Sequence, residues 1–248
     1  MRTSYHGKKL LWLVAARSGS KCISNKNIKL LGGIPLLAYR IKSALKISDN
    51  EDVWISSDSQ LYADLAKRYG ATGHFLRPAE LATDTAKSSD VVLHAMEWAE
   101  SKGKVYDAIG LLEPTSPFVK SSSLVEAVNN LFMENEAENI VAVRRVKPSR
   151  FYIQEDNKYL SVLARNIASM GLLRRQDEKK EITPSGGFYI AKWDDFKMNR
   201  TFYTDMTLSC LVPDLEGLEI DEPIDWEWAE YLLHKKEINL ADLGFTGD

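Results

Sequence analysis

The chain has 248 residues, a formal net charge of -3, 44% hydrophobic and 27% charged residues. This length is enough to bury the core of one large α/β domain. The charge excludes a globally basic nucleic-acid-binding protein but allows a local basic pocket. No apolar run approaches the roughly 20 residues of a membrane-spanning helix, and the N-terminus lacks a signal-peptide pattern. The two cysteines, Cys22 and Cys210, form no motif. We therefore expect a reduced, cytoplasmic protein without a nucleic-acid or membrane partner.

The first strong pattern is an apolar run that ends in a small cationic loop. Residues 10–16 are uninterrupted apolar residues, which predicts a buried strand. The loop that follows contains Arg17, Ser18, Gly19, Lys21, Lys26 and Asn27. An open α/β sheet binds phosphate at this kind of strand end, where glycine allows close approach and free amides face the anion. Neither Walker A nor GxGxxG is present, so a phosphate loop and an ordinary turn with solvated cations both remain open.

Strand-like and helix-like segments alternate along most of the chain, which is typical of a largely parallel α/β sheet. Strands are predicted at residues 10–16, 53–55, 107–112, 139–146, 188–193 and 208–213, with a short one just before Pro223. Helices are predicted at residues 36–46, 60–69, 88–100 and 121–132, and from Pro223 onward. Gly70 should end the second helix, Ser88 or Ser89 should cap the third, Ser121 to Ser123 should cap the fourth, and residues 185–187 should form a tight turn.

The alternation breaks over residues 147–184, which are polar and carry a cationic cluster. This segment is either a lid or an arm that packs on another subunit. Because long unsupported loops are uncommon in compact domains, the pattern favours the arm.

Polar residues gather at two further segment ends. Residues 113–117 follow an apolar run, and Glu219 and Asp221 are two positions apart, so on an extended segment their carboxylates share a face. Such a pair beside a phosphate site suits Mg²⁺, although the pattern by itself favours an exposed strand edge followed by an acidic helix start. Asp225 fits a helix-dipole partner better than a ligand. The histidines show no zinc-ligand spacing.

Some side chains have a simpler structural interpretation as well. Arg77 precedes Pro78 and should be extended, and it could be a solvated loop residue. Ser88 could be only a helix cap, and Glu113 could bind the amides of its own loop.

Five segments occur in the order seen in the acylneuraminate cytidylyltransferases, which the chain resembles over roughly residues 10–233. They are AARSGSKCISNKN, FLRPAELATDTA, LLEPTSPF, RRQ with SGGFYIA, and EIDEPIDWEWAE. The family comprises CMP-sialic acid synthetases and relatives acting on other nonulosonic acids. The resemblance implies a three-layer α/β fold of the nucleotidyltransferase type, Rossmann-like, with a mostly parallel sheet and a dimerisation excursion. Residues 1–248 would form one domain, with residues 147–184 as the dimerisation and substrate arm.

The resemblance also implies the reaction and the residues involved. CTP would give CMP to the anomeric hydroxyl of a sialic-acid-like sugar acid, with Mg²⁺ and release of pyrophosphate, in a homodimer. The implied catalytic residues are Arg17, Lys26, Glu219 and Asp221, of which Glu219 and Asp221 also hold the metal. The implied nucleotide-binding residues are Ala16, Arg17, Ser18, Gly19, Lys21, Lys26, Asn27, Arg77 and Ser88. The implied sugar-binding residues are Glu113, Thr115, Arg165, Arg175 and Tyr189, with both arginines lent by the partner subunit.

Three positions depart from the family pattern. Glu113 stands where many members have Gln, which adds a negative charge beside an anionic substrate. Glu219 replaces an aspartate with a longer arm, and Ser185 stands where Asn is frequent. A CMP-Kdo synthetase-like enzyme and a non-catalytic nucleotide-sugar-binding protein of the same fold are the alternatives. A dinucleotide-dependent oxidoreductase could use Asp58 as its ribose acid, but the glycine fingerprint is missing.

Overall fold

The computed structural model describes residues 7–73, 75–146 and 181–245. Within these ranges the strands are β1 Leu10–Ala15, β2 Leu30–Leu31, β3 Ile34–Pro35, β4 Val53–Ser56, β5 Ala108–Leu112, β6 Asn139–Val146, β7 Glu181–Lys192 and β8 Thr207–Leu211. The helices are α1 Leu36–Leu45, α2 Gln60–Arg68, α3 Ser88–Ser101, α4 Ser121–Met133, α5 Trp193–Asn199 and α6 Pro223–His234. None of the helices described is long and apolar enough to span a membrane.

Six of the strands form one sheet in the order β4-β1-β5-β7-β6-β8, and β2 and β3 form a separate hairpin. The pairings of β1 with β4, β1 with β5 and β6 with β8 are parallel, whereas β7 is antiparallel to both of its neighbours. The predicted mostly parallel sheet is therefore confirmed. Because β1, β4 and β5 run in the same direction, the loops that follow them meet at one edge of the sheet.

The sheet is covered on both faces, as the alternation of buried side chains along β1 requires. Trp12 and Val14 belong to the apolar cluster that includes α1, α2 and α4. Leu11 and Leu13 point to the other face, in the cluster that includes α3 and α5. Helix α6 packs in a third cluster against the β2–β3 hairpin and the loop after β1. These layers confirm the predicted three-layer α/β architecture.

Most of the predicted elements are present with ends within one or two residues of the prediction, but five local predictions are wrong. Ser88 and Ser121 do not cap their helices; they are the first helical residues, after Lys87 and Lys120, and no side chain caps either helix. The segment before α6 is not a strand. Its backbone bonds to a neighbouring loop, from Ile220 N to Thr115 O at 2.8 Å, but residues 218–221 are not in strand conformation.

Residues 185–187 are not a turn but part of β7, which continues through them. The register with β6 shifts between Val141 and Val143, and Gly186 adopts a φ of 50°, the left-handed conformation that a bulge can require. Residues 181–184 also belong to β7, where they pair with the last residues of β6. The part of the predicted arm that remains, residues 147–180, lies outside the described residues.

Close packing between two neighbouring strands of the sheet predicts a large stability effect at Gly110. This glycine lies beside Trp12 on the neighbouring strand, and a Cβ atom at position 110 would overlap the buried indole ring. Gly110→Ala is therefore expected to lower the free energy of unfolding by about 2–3 kcal/mol, measured by urea denaturation. Gly19→Ala is the matched control, since a Cβ there meets no atom within 4 Å. Equal stability of the two variants would contradict the Trp12 contact.

Candidate active site

The loop after β1 is held in place by two side chains. Asp58, which follows β4, accepts hydrogen bonds from Ser18 N at 2.8 Å and Ser18 Oγ at 2.7 Å. Burial alone raises the pKa of Asp58, but the Ser18 hydrogen bonds and the nearby Arg77 charge outweigh it and lower the pKa. Asn27 Nδ2 donates to Arg17 O at 2.9 Å from the far end of the loop. The loop is thus closed on itself and tied to the neighbouring strand.

The three cations of this loop occupy two different environments. Arg17 Nη1 lies 2.7 Å from Asp84 Oδ1, and Lys21 Nζ pairs with the other oxygen of the same carboxylate. Lys26 is far less exposed, with 13% of its side chain accessible, and it reaches across the cleft. Its Nζ donates to Ile220 O at 2.7 Å and to Asp221 Oδ1 at 3.2 Å. Lys26 therefore connects the β1 loop to the segment before α6.

Arg77 is not a solvated loop residue, since only 7% of it is exposed. Its guanidinium donates to Ser56 Oγ at 3.0 Å and to Ser56 O at 2.6 Å, and its backbone N donates to Ser57 O at 2.7 Å. Burial lowers the pKa of Arg77 to about 10, while Asp58 raises it, so the side chain stays cationic at neutral pH. Arg77 thus brings a fixed positive charge to the end of β4.

Two acidic residues flank Ile220 at the opposite wall of the cleft. The backbone of Ile220 is held on both sides, because its N donates to Thr115 O and its O accepts from Lys26 Nζ. Glu219 is half-buried, and its carboxylate fills the space where a Cβ on Gly186 would lie. Burial and the Asp221 charge raise the pKa of Glu219. Asp221 has 70% of its side chain exposed at the cleft.

Asp225 stabilises the start of α6, in agreement with its predicted helix-start role. Its Oδ2 accepts from Asp221 N at 3.0 Å and from Glu222 N at 2.8 Å, and Glu222 returns a bond to complete a capping box. The capping box fixes the backbone of Asp221, so the position of that carboxylate is set by the helix start.

These walls enclose a cleft of about 570 Å³ at the carboxyl edge of β1, β4 and β5. Nine residues singled out in the sequence line it: Arg17, Lys21, Lys26, Asn27, Arg77, Ser88, Glu113, Thr115 and Asp221. Ala16, Ser18, Gly19 and Glu219 lie on the same segments but do not line this cleft. Tyr189 lines a smaller pocket of about 250 Å³ that shares Ser88 and Glu113 with the cleft. Arg165 and Arg175 lie outside the described residues.

Sequence reasoning missed two acidic residues of this edge. Asp84, in a polar loop, is the counter-ion of Arg17 and Lys21. Asp58 was considered only as a ribose ligand, yet it holds the β1 loop. Its position directly after a buried strand is a signal that could have identified it, whereas no pattern in the sequence places Asp84 near the loop cations.

The donor set at the cleft suits Mg²⁺. Asp221 offers a hard carboxylate at the cleft, and Glu219 offers a second one on the other side of the fixed Ile220, beside the residues that line the cleft. Mg²⁺ commonly takes one or two carboxylates together with phosphate oxygens. Within the described ranges no group of three or more His, Cys, Asp or Glu residues could hold a metal ion. A magnesium ion at this site would therefore depend on ligands from the bound nucleotide or from water.

Glu113 is the titratable group of the cleft with the largest expected effect on stability. Burial, followed by the charges of Glu219 and Asp221, raises its pKa to about 7. An acid whose folded pKa exceeds its unfolded value loses stability as pH rises between the two values. Glu113→Gln cannot lose a proton and does not show this loss. The free energy of unfolding of Glu113→Gln minus that of the wild type should therefore increase by about 2–3 kcal/mol from pH 5 to pH 8.

Denaturant unfolding of both proteins at the two pH values, without divalent cations, measures this difference. The difference in free energy of unfolding between the two proteins should grow mainly below pH 7 and change little above pH 7. A constant difference between the two proteins across this pH range would show that Glu113 titrates as an ordinary exposed carboxylate.

Comparison with known proteins places this cleft in context. The cytidylyltransferase family model matches residues 11–207. An N-acylneuraminate cytidylyltransferase of Escherichia coli is 33% identical over 95% of this chain, which spans 54% of that relative. A CMP-N,N'-diacetyllegionaminic acid synthase of Legionella pneumophila is 32% identical, with 91% of this chain and 96% of the relative covered. The solved structure of a CMP:2-keto-3-deoxy-manno-octonic acid synthetase complexed with CTP has the same fold, with a TM-score of 0.63 and 12% sequence identity. The superposition covers 92% of this chain and 99% of that structure.

Proposed function

Because the chain belongs to the cytidylyltransferase family, we propose that it transfers CMP from CTP to the anomeric hydroxyl of a nonulosonic acid and releases pyrophosphate. The observation that carries this proposal is the cleft, in which Arg17, Lys21 and Lys26 on one side face Asp221 on the other. The relatives from E. coli and L. pneumophila support the choice of sugar acid, since both names refer to acids of this class.

The proposed reaction is an in-line displacement at the α-phosphorus of CTP. The anomeric oxygen of the sugar forms the new bond to phosphorus as the bond to pyrophosphate breaks, and negative charge accumulates on the phosphate oxygens. Arg17 and Lys26 stabilise this charge, which is the main source of acceleration in phosphoryl-type transfer. Arg77, Asn27 and Ser88, which also line the cleft, bind the cytidine part.

The two acidic residues, Glu219 and Asp221, act on the anomeric hydroxyl group of the sugar and on the proposed metal ion. Glu219 takes the proton of the anomeric hydroxyl, a role favoured by its raised pKa. Asp221 and Glu219 would hold Mg²⁺, which supplies Lewis-acid stabilisation of the phosphate oxygens when bound. Lys26 keeps Asp221 at the cleft through their 3.2 Å contact. We further propose a cytoplasmic homodimer in which Arg165 and Arg175 reach the partner's sugar pocket.

The alternatives are less well supported. The CMP-Kdo synthetase is similar in fold at only 12% identity, whereas the relatives that exceed 30% identity reported above act, by their names, on other nonulosonic acids. A non-catalytic nucleotide-sugar-binding protein would not need two acids beside the cationic loop.

Pyrophosphate release tests the proposal. The purified protein is incubated with Mg²⁺, one of the four nucleoside triphosphates, and N-acetylneuraminate, legionaminate, pseudaminate or Kdo. Pyrophosphate should appear only with CTP and only when a nonulosonic acid is present. Release with Kdo alone would favour the CMP-Kdo alternative, and CTP binding without release from any acid would favour the non-catalytic one.

A further inference from the structure

Arg40 lies in the middle of α1, and no part of it is exposed. Its guanidinium group donates from Nη1 to Val119 O and from Nη2 to Gly187 O, both at 2.9 Å. Val119 lies in the segment between β5 and α4, and Gly187 belongs to the bulge of β7 at residues 185–187. Arg40 therefore bonds to two segments that lie next to the candidate active site, although its own side chain does not line the cleft.

The guanidinium group of Arg40 is not fully paired. Its Nε has no hydrogen-bond partner in the part of the chain that the structure describes. Burial lowers the pKa of Arg40 to about 9, while the charge of Glu216 raises it, so the side chain stays cationic at neutral pH. The Glu216 carboxylate has its own donors, Lys120 N at 3.0 Å and Ser123 Oγ at 2.7 Å. A buried cation of this kind is often less stabilising than a well-packed apolar side chain, so the packing of α1 alone does not explain a charge at this position.

The bulge that Arg40 holds forms one side of the space occupied by the Glu219 carboxylate. Gly186, directly before Gly187, has a φ of 50°, and a Cβ atom at this position would overlap Glu219 Oε1. The carboxylate therefore lies against the bare backbone of the bulge. Any shift of that backbone changes the space that Glu219 fills, because protein interiors are close-packed and leave few voids.

The second segment bonded by Arg40 holds the backbone beside that carboxylate. Thr115 O accepts from Ile220 N at 2.8 Å, and Ser116 Oγ donates to Ser185 O at 3.3 Å. The segment after β5 is thus bonded both to the segment before α6 and to the bulge. Without Arg40, two buried carbonyl groups lose a charged donor. An unpaired polar group inside the protein is costly, so the backbone is expected to shift toward another partner.

Resting on the proposed function, in which Glu219 takes the proton of the anomeric hydroxyl group, we infer that Arg40 is a positioning residue for the Glu219 carboxylate. Its two hydrogen bonds fix the bulge and the segment after β5, and these fix Glu219 relative to the bound sugar. A displacement of about 1 Å in a reacting group costs up to roughly 10²-fold in rate. Binding of CTP is independent of Arg40, because the loop after β1 is held by Asp58 and Asn27.

Two replacements of Arg40 separate its charge from its hydrogen bonds. Arg40→Met removes the charge and all side-chain donors, whereas Arg40→Lys keeps the charge and can bond one of the two carbonyl groups. With CTP, Mg²⁺ and the best acid of the panel, Arg40→Met should lower kcat for pyrophosphate release about tenfold or more, and Arg40→Lys should lower it less. The KM for CTP, and the Kd of CTP measured by calorimetry without an acid, should stay within about threefold of the wild-type values.

The matched control is Tyr39→Phe, at the preceding position of the same helix. Tyr39 is also buried, and its hydroxyl group donates to a backbone carbonyl of the β2–β3 hairpin, Leu31 O, at 2.7 Å. The variant thus loses a hydrogen bond from α1 to a carbonyl group that belongs neither to the bulge nor to the segment after β5. Its kcat should stay within about twofold of the wild type. An equal loss of kcat in Tyr39→Phe and Arg40→Met would overturn the inference.

A double-mutant cycle with Glu219→Gln shows whether Arg40 acts through Glu219. Glutamine keeps the size of the side chain but cannot take the proton, so its position no longer affects proton transfer. In this background, whose residual turnover is measured over long incubations, Arg40→Met should lower kcat by at most about twofold. An equal factor in both backgrounds would mean that Arg40 only supports the fold, and the inference would be wrong. Thermal unfolding establishes that each variant is folded, and if Arg40→Met is not, the same cycle with Arg40→Lys decides the result.

Failure of the inference and failure of the proposed function give different results. If the wild type is active but Arg40→Met, or Arg40→Lys in its place, keeps the wild-type kcat, Arg40 has no positioning role. Normal turnover of Glu219→Gln would also overturn the inference, while CMP transfer itself would stand. If the wild type releases no pyrophosphate with any acid of the panel, the proposed function fails, and the inference fails with it.

Discussion

Replacing Asp221 with asparagine is expected to lower kcat/KM for CMP transfer by roughly 10²- to 10³-fold at saturating Mg²⁺. The variant keeps the size of the side chain but removes the negative charge that faces Lys26 across the cleft. It therefore removes both a proposed metal ligand and the partner that holds the Lys26 ammonium group, whose Nζ lies 3.2 Å away. Steady-state pyrophosphate release with both substrates varied measures the effect.

The matched control for this experiment is Glu227→Gln, which also removes one exposed acid from the same helix region. It should retain activity within about twofold, because exposed charges away from the cleft are screened. Near-normal turnover of Asp221→Asn, or of Asp221→Ala, at saturating Mg²⁺ would show that Asp221 is neither a metal ligand nor an organiser of the cleft.

Lys26→Met is expected to cost roughly 10²- to 10³-fold in kcat/KM. Lys26 is the least exposed cation of the β1 loop, and its bond to Ile220 O connects the loop to the acidic wall. Methionine fills the same space without charge, so the phosphate oxygens lose a fixed cation and the two walls lose their link. Stopped assays of pyrophosphate release over a range of CTP concentrations separate the effects on kcat and KM.

Lys21→Met is the matched control, because Lys21 carries the same charge on the same loop but has 74% of its side chain exposed and pairs with Asp84. A surface ion pair of this kind contributes about 1 kcal/mol or less, so a loss of at most about fivefold is expected. Equal losses in both variants would mean that the loop acts through its total charge rather than through the position of Lys26.

The fold could be predicted because its pattern is local. Each strand of the parallel part is a short apolar run bounded by polar residues, and the helices between them carry buried residues at regular spacing. The bulge at Gly186 could not be predicted, since a Ser-Gly-Gly segment is equally suited to a turn. Its conformation is decided by the pairing of β7 with β6, which involves residues far apart in the sequence.

The candidate site could be predicted in part for the same reason. The parallel topology brings the ends of β1, β4 and β5 to one edge, so Arg17 and Glu113 are expected to meet there, and the structure places both around one cleft. Arg77 is expected near the nucleotide only from the family resemblance, and it lines the same cleft. Asp84 belongs to a loop without regular structure, and its pairing with the loop cations depends on where that loop folds back. The roles of these residues remain predictions.

The central claim is CMP transfer to a nonulosonic acid, and the mass of the reaction product tests it most directly. Purified protein is incubated with CTP, Mg²⁺ and each acid of the panel in turn, and the products are separated and analysed by mass spectrometry. We predict, for at least one nonulosonic acid, a new species whose mass equals that of the acid plus CMP minus water, formed together with an equal amount of pyrophosphate. Binding of CTP without any such adduct from any of the acids would contradict the claim.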